Sequence, residues 1–402
     1  MKKINNKGFS VIEALIIMVV VGAIVAVGYR IVSSKTKDKD GPRDGGSGQA
    51  ADLLKDCEGN GPVTLTHAPM DMSDVSSVLP IGTLAGAHVT PIDHLYFYPK
   101  DMKNRDAAPV YAMGDGFIVS MQERTQNVDK GTSQQGEYRI EIQHNCDIVS
   151  YFDLMTSLEK DIKDKIGSGG GSLHIPVKSG QVLGRVGAQS LDTAVYNYGM
   201  TLSGFVNPDS YKAEPWKLHT DDFFKYFKDP IKSEMLAKNP RTAEPRGGKI
   251  DYDIDGKLVG NWFEKGTNGY AGAGGSENRV ASSDGRGYWS GHFSIAPDAI
   301  DPQRINVSFG DYQGKATQFS AKRGSQDPAN VSKDSGMVRY ELVPYIVPSP
   351  SPTGGKPQES QQVMGTVLLQ LTDTRALKME AFPGKSATQV TDFTSAAKTF
   401  ER

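Results

Sequence analysis

Two histidines and an aspartate stand close together in one short segment, and their side chains are of the kind that bind metal ions. His88 and His94 flank residues Thr90–Asp93. Imidazole nitrogens combined with a carboxylate suit divalent transition metals such as zinc. Packing of His94 beside Tyr96 and Tyr98 on a strand explains the same residues without a metal. The sequence leaves both interpretations open.

A second group of carboxylates has the spacing of a calcium-binding loop. Residues 251–256 read Asp-Tyr-Asp-Ile-Asp-Gly, but the bidentate glutamate expected at the twelfth position is Trp262 in this chain. The aspartates also alternate with Ile250, Tyr252 and Ile254, which is the period of a strand. We therefore expect a β-hairpin with an Asp-Gly turn that continues through Trp262, in preference to a calcium site.

The composition excludes several other classes of function. The 402 residues carry a net charge of −2, so no overall basic field predicts nucleic-acid binding. No Ser-His-Asp arrangement is recognisable, and the glycine run at Gly167–Ser172 lacks the lysine and the helix start of a phosphate-binding loop. The 44 glycines and 22 prolines favour β structure with many turns.

The first residues predict a membrane anchor that contains a carboxylate. Residues 8–13 read Gly-Phe-Ser-Val-Ile-Glu, an apolar run continues to Val32, and three lysines precede it. A helix over residues 9–32 is roughly 36 Å long, enough to cross a bilayer with some tilt. A charge in hydrocarbon is costly, so Glu13 needs a partner. Residues 33–50 are charged and Gly-rich, which predicts a flexible linker.

The segment around Gly8 resembles the leader of type IV pilins and pseudopilins. The resemblance implies that a prepilin peptidase cleaves after Gly8 and methylates Phe9. It also implies that Glu13 pairs with the N-terminal amine of a neighbouring pilin-like subunit. The body would then lie outside the cytoplasm or on the cell surface. An ordinary anchor with one glutamate is the alternative, and the early linker favours a tethered or minor-pilin-like role over a major subunit.

The chain has two cysteines, Cys57 and Cys146. Export of the body predicts a single disulfide bond between them, because disulfides persist in oxidising compartments. Two unpaired thiols are the alternative.

Residues 51–211 predict a β domain with short strands and glycine-containing turns. The predicted strands are Leu95–Tyr98, Pro109–Ala112, Gly116–Gln122, Tyr138–His144, Val149–Leu154, Gln181–Gly187 and Thr193–Tyr198. A short helix is predicted at Leu158–Ile166. The stretches Val110–Val119, Ile140–Leu154 and Val177–Gly187 resemble the glycine-punctuated strand pairs of lysostaphin-type (LytM-like) zinc endopeptidases.

That resemblance implies a zinc site whose residues are only partly present. The family takes two zinc ligands from a His-x-x-x-Asp motif, whereas four residues separate His88 from Asp93 here. Its final His-x-His corresponds to Ser190 and Asp192, and a further catalytic histidine corresponds to Asp153. A catalytic zinc needs three protein ligands and an open position. We therefore expect a degenerate domain that has lost the zinc site and binds no cofactor. The alternative is a zinc site with a changed ligand set, formed by His88, Asp93 and Asp192.

The rest of the chain predicts a helical connector at residues 212–248 and a β-rich domain at 249–402, for which a barrel is one arrangement. A helix is expected at Trp216–Ala237 and another at Thr388–Phe400. Further strands are predicted at Tyr288–Ile295, Arg304–Phe309, Val338–Val343, Thr366–Leu371 and Leu377–Phe382. Four aromatic residues predict either a sugar-binding face or the core of a small barrel: Trp262, Tyr270, Tyr288 and Trp289.

The chain is thus predicted to be mainly β behind one transmembrane helix, with a leader at residues 1–8, the anchor at 9–32 and the linker at 33–50. The expected function is a non-catalytic module of a bacterial envelope, or a minor-pilin-like component, that recognises peptidoglycan or another surface polymer. This ligand rests on analogy of fold. The alternatives are a zinc-dependent peptidoglycan endopeptidase and a structural subunit of a pilus or pseudopilus.

Overall fold

The computed structural model describes residues 54–124, 136–166, 173–272, 287–345 and 360–402. The predicted leader, anchor and linker, with Gly8, Phe9 and Glu13, lie outside these residues, as does the glycine run Gly167–Ser172. No helix in the described ranges has the length and apolar character needed to cross a membrane. The described chain is mainly β with few helices.

The first half of the described chain contains ten strands and one short α-helix. The strands are β1 Val75–Leu79, β2 Leu95–Pro99, β3 Ala108–Tyr111, β4 Gly116–Arg124, β5 Glu137–Gln143, β6 Ile148–Met155, β7 Ser157–Leu158, β8 Ile175–Val177, β9 Val182–Val186 and β10 Leu191–Asn197. Helix α1 spans Lys160–Ile166. The seven predicted strands of this region and the predicted helix are confirmed, whereas β1, β7 and β8 were not predicted.

Seven of these strands form one antiparallel sheet in the order β1-β2-β10-β6-β5-β4-β8, and β3-β9-β7 form a small second sheet. One face of the large sheet carries apolar residues such as Ile118, Ile142 and Phe152, each 0% exposed. The opposite face carries polar and aromatic side chains, because successive residues of a strand point to opposite faces. Tyr96 on β2 and Asp153 on β6 lie directly opposite residue 192 of the intervening strand β10, so these three positions share the polar face.

The second half forms a closed antiparallel barrel of eight strands. They are β11 Gly260–Glu264, β12 His292–Pro297, β13 Ile305–Tyr312, β14 Lys315–Ala321, β15 Val338–Pro344, β16 Gly365–Asp373, β17 Ala376–Pro383 and β18 Lys398–Glu401. Its interior is filled by a separate hydrophobic core that includes Trp262, Phe293 and Leu369, all 0% exposed. The barrel is confirmed. Of the four aromatic residues, Trp262 lies in the barrel core, whereas Tyr270 belongs to the core of the sheet domain.

Three predicted elements are wrong. Residues 216–237 form short 3-10 helices at Pro215–His219 and Phe223–Tyr226 and then α2 at Ile231–Leu236, in place of one helix. Pro230 cannot supply the backbone N–H of an interior helical turn, which explains the break before Ile231.

The predicted hairpin through residues 250–262 is absent, because only Gly260–Glu264 forms a strand. The predicted C-terminal helix is also absent, since Ala387–Gln389 is one 3-10 turn and Lys398–Glu401 pairs with both β11 and β17. Edge pairing that closes the barrel therefore outweighs the helical spacing of the apolar residues in the last segment.

The disulfide between Cys57 and Cys146 is present, as predicted. It ties the segment before β1 to the turn between β5 and β6. Backbone contacts support the same attachment, since Cys146 N donates to Gly59 O and Gly61 N donates to Asp147.

Candidate functional site

Charged side chains from three separate parts of the chain meet at the start of β2, on the polar face of the large sheet. Asp93 and His94 precede β2, Asp192 lies on β10, and Lys217 comes from the 3-10 helix Pro215–His219. All four residues are at most 8% exposed. We call these four residues the Asp93 cluster.

The imidazole of His94 lies between the two carboxylates of the cluster. His94 Nδ1 is 3.3 Å from Asp93 Oδ1, and Nε2 is 3.3 Å from Asp192 Oδ2. The contact with Asp192 is an ion-pair contact without hydrogen-bond geometry. Burial alone lowers the pKa of His94, but Asp192 and Asp93 outweigh it and raise that pKa to about 9. His94 is therefore a cation at neutral pH.

Both oxygens of Asp93 accept hydrogen bonds from the 3-10 helix. Lys217 Nζ donates to Oδ1 at 2.8 Å, and Trp216 Nε1 donates to Oδ2 at 2.9 Å. Burial raises the pKa of Asp93, but Lys217 and then His94 outweigh burial and hold it well below its usual value. Lys217 Nζ also lies 3.2 Å from Glu214 Oε2. Burial acts to lower the pKa of Lys217, yet Asp93 and Glu214 together raise it.

His88 stands beside this cluster without entering it. Its ring centroid lies 5.9 Å from that of His94, in an edge-to-face arrangement. Burial, followed by the charges of His94 and Lys217, lowers the pKa of His88 to about 3. His88 is therefore neutral at physiological pH. His94 also packs against Tyr96 at 5.2 Å between ring centroids, as the packing interpretation predicted.

Asp153 and Ser190 lie next to Asp192, Asp153 on the neighbouring strand and Ser190 two residues earlier in the chain. Asp153 Oδ2 accepts hydrogen bonds from Arg139 Nε at 3.2 Å and from the Tyr151 hydroxyl at 2.7 Å. Ser190 Oγ donates to Asp192 Oδ1 at 3.1 Å. Asp153 and Asp192 face each other across adjacent strands, an arrangement that like charges disfavour unless each carboxylate has its own cation. Arg139 and His94 supply those cations.

The donor set does not fit a catalytic zinc ion. Within the described ranges no three His, Cys, Asp or Glu side chains are grouped so that they could hold a metal. The structure brings Asp93 and Asp192 together, but His94 rather than His88 lies between them. The Lys217 ammonium already neutralises Asp93, and a zinc ion beside it would repel this buried positive charge.

The three aspartates of the calcium-like motif have separate protein partners. Asp251 pairs with Lys249 and accepts a hydrogen bond from Gly204 N, while Asp255 pairs with Arg375. Asp253 accepts a hydrogen bond from Asn261 N at 2.8 Å. Their carboxylates fix the segment that enters the barrel.

Sequence reasoning missed Lys217 and the hydrogen bond of Trp216. Trp216 was assigned to the apolar side of a helix, whereas its indole N–H binds a carboxylate 123 positions away in the chain. The only signal available was the Pro-Trp-Lys order after Glu214, which places a cation and an indole in one turn. Nothing local relates this turn to Asp93.

Comparisons with known proteins identify no family and return solved structures of low similarity. No protein-family model and no curated protein matches the chain. A solved zinc-containing peptidase from Vibrio cholerae matches 34% of this chain with 17% identity and a TM-score of 0.24. This match spans 38% of the peptidase. The solution structure of lysostaphin matches 65% of this chain and 95% of its own length, with 12% identity and a TM-score of 0.24.

Proposed function

We propose that the protein is a non-catalytic binding module of the bacterial cell envelope, tethered by a pilin-type N-terminus. One observation supports the non-catalytic role: both carboxylate oxygens of Asp93 accept hydrogen bonds, one from Lys217 and one from Trp216. A buried carboxylate that is neutralised by an ammonium has no free charge with which to hold a catalytic metal. His94 is likewise held between Asp93 and Asp192, so it is no free base at neutral pH.

The proposed ligand is peptidoglycan or another surface polymer, by analogy with the lysostaphin-type domain that the sequence resembles. The polar face offers polar and aromatic contacts for such a polymer. Tyr96 and Tyr98 are partly exposed on β2, and the guanidinium of Arg139 lies 4.7 Å from the centre of the Tyr151 ring. The partly exposed tyrosines suit a ligand that carries hydroxyl and amide groups.

The test uses the soluble region from residue 51 onward, after purification without chelators. We expect substoichiometric zinc by elemental analysis, no release of soluble fragments from purified peptidoglycan sacculi, and co-sedimentation with those sacculi. Tyr98→Ala should weaken sedimentation, whereas Tyr252→Ala, at a partly exposed tyrosine outside the large sheet, should not. Stoichiometric zinc that is lost on His88→Ala or Asp192→Ala, together with hydrolysis of sacculi, would establish the endopeptidase alternative instead.

The tether is tested separately in a cell that makes a type IV pilus or a pseudopilus. We propose that a prepilin peptidase cleaves after Gly8 and that Glu13 joins the protein to pilin-like subunits. Gly8→Val should block processing, which a shift in mobility of the whole protein reports. If Glu13→Ala leaves both processing and incorporation unchanged, the role as a pilus or pseudopilus subunit fails, while the tethered binding module stands.

A further inference from the structure

Asn60 and Gly61 form one of the two Asn-Gly steps in the sequence, and both residues bind the same carboxylate. Gly61 N donates to Asp147 Oδ2 at 2.6 Å, and Asn60 Nδ2 donates to Asp147 Oδ1 at 3.2 Å. An ionised carboxylate only accepts hydrogen bonds, so the nitrogen of the Asn60 amide faces Asp147. The two nitrogens that react when an Asn-Gly step deamidates are therefore both bound to one side chain.

Neighbouring contacts hold this arrangement in place at the turn between β5 and β6. Asn145 Nδ2 donates to Gly61 O at 2.8 Å, and the disulfide ties Cys57 to Cys146 of the same turn. Asn60 is exposed, and Gly61 has nothing within 4 Å of the position that a Cβ would take. The side chain of Asn60 thus has room to close a ring with Gly61 N, and water can reach the product.

We propose that Asp147 is the acid–base catalyst of a self-deamidation at Asn60. Gly61 N attacks Asn60 Cγ and gives its proton to the Asp147 carboxylate. The Cγ–Nδ2 bond then breaks, Asp147 returns that proton to Nδ2, and ammonia leaves. The product is a five-membered succinimide, which water opens to aspartate or isoaspartate at position 60. A carboxylate bound to both the attacking and the leaving nitrogen is placed for general acid–base catalysis.

The reaction changes how residues 59–61 are attached to the sheet domain. A carboxylate at position 60 cannot donate to Asp147 and repels it as a like charge. The disulfide and the Asn145 contact do not depend on the Asn60 side chain. Deamidation therefore loosens this segment without releasing it. This inference does not depend on the polymer binding proposed above.

The experiment follows both Asn-Gly steps in the full-length wild-type protein at neutral pH, folded and unfolded in guanidinium chloride. Peptide mapping by mass spectrometry after reduction measures the conversion of each asparagine. Asn60 should convert faster in the folded protein, because only the fold holds Asp147 against it. Asn268 of the second step is exposed, and no carboxylate of the described residues contacts its side chain. Asn268 should therefore convert no faster in the folded protein than in the unfolded chain.

Asp147→Asn keeps the size of the side chain but cannot take up the proton of Gly61 N. It should slow the conversion of Asn60 in the folded protein by about 10- to 100-fold and leave that of Asn268 unchanged. If Asp147→Asn does not fold, the comparison of folded and unfolded wild type decides alone.

The opposite result overturns the inference. Conversion of Asn60 that is no faster in the folded protein than in the unfolded chain, or no slower in folded Asp147→Asn than in wild type, would mean that Asp147 only holds or protects the step. Such a result leaves the proposed binding of sacculi untouched, since that binding is measured by sedimentation.

Discussion

At the scale of single residues, the Asp93 cluster is a chain of alternating charges. Lys217, Asp93, His94 and Asp192 follow one another at contacts of 2.8 to 3.3 Å. Such an arrangement is stable in the interior only if every member keeps its charge. The stability of the folded protein therefore depends on His94 remaining protonated.

The first prediction concerns the dependence of stability on pH. The pKa of His94 is raised from 6.5 to about 9, so its contribution is fully present below pH 6.5 and is lost as pH rises through 9. The pKa of His88 is lowered to about 3, so stability falls as pH drops from 6.5 towards 3. We expect Tm to be greatest near pH 6.5, as thermal scans across this range would show.

The matched variants for this prediction are His94→Gln and His174→Gln. His94→Gln should remove most of the fall in stability between pH 6.5 and 9, on the order of 3 kcal/mol. His174 is exposed and stacks on Phe117, so His174→Gln should keep the wild-type profile. An unchanged profile in His94→Gln would contradict the assignment of His94 as a buried cation.

At the scale of elements, the segment between β1 and β2 is held between the two halves of the molecule. Ile81 N donates to Gly247 O, and Gly82 N donates to Ile92 O. On the other side, Gln318 Nε2 of β14 donates to Gly86 O at 2.9 Å. These contacts set the path of the chain that ends in Asp93 and His94, so they position the cluster.

The second prediction tests this close approach at Gly82. A Cβ at Gly82 would stand 2.4 Å from Lys249 O, at a φ of +91°. Gly61 has the same φ of +91° and nothing within 4 Å of its Cβ position. Gly61→Ala should lower the free energy of unfolding only because alanine disfavours a positive φ, by about 1–2 kcal/mol. Gly82→Ala should lower the free energy of unfolding by a further ~1–3 kcal/mol, measured by urea denaturation. Equal losses of unfolding free energy in the two variants would show that the segment around Gly82 shifts to accommodate the methyl group without further cost.

The third prediction concerns the disulfide, which links residues 89 positions apart. Closing so long a loop restricts the unfolded chain, so the double variant Cys57→Ser with Cys146→Ser should lose about 2–5 kcal/mol of stability. Reduction should shift the unfolding midpoint of wild type to that of the double variant. The same reductant should leave the double variant unchanged, and a shift there would mean that it acts elsewhere.

At the scale of the whole molecule, the sheet domain and the barrel share part of one core. The large hydrophobic cluster of the sheet domain includes Ile250, Phe263 and Tyr270 from the barrel half. Tyr211 joins the two, since its ring packs on Phe263 at 5.6 Å and its hydroxyl accepts a hydrogen bond from Asn261 Nδ2. Opening this interface would expose apolar surface and one buried hydrogen bond.

The fourth prediction is a single cooperative unfolding transition for residues 51–402. Ile142→Ala in the sheet core and Leu369→Ala in the barrel core each remove a side chain that is 0% exposed. Each should destabilise by about 2–5 kcal/mol and move the same calorimetric peak to lower temperature. Two peaks, each sensitive to only one of the variants, would show that the halves unfold separately.

Much of the β architecture could be predicted from the sequence, because strand period and turn residues are local signals. Every strand predicted between residues 95 and 198 is present. The disulfide followed from the number of cysteines and the expected compartment. Elements failed where tertiary pairing overrode local spacing, as at Lys398–Glu401, which closes the barrel in place of a helix.

The sequence by itself determined which residues could do chemistry, and it placed Asp153, Ser190 and Asp192 at positions where the motifs that the domain resembles have histidine. Only the tertiary structure decided what these residues do. Lys217 reaches Asp93 across 124 positions of sequence, and the register of β10 sets Asp192 beside both β2 and β6. Contacts between residues so far apart in sequence depend on how elements pack, and they leave no local pattern. The pairing of Lys217 with Asp93 could therefore be found only in the folded molecule.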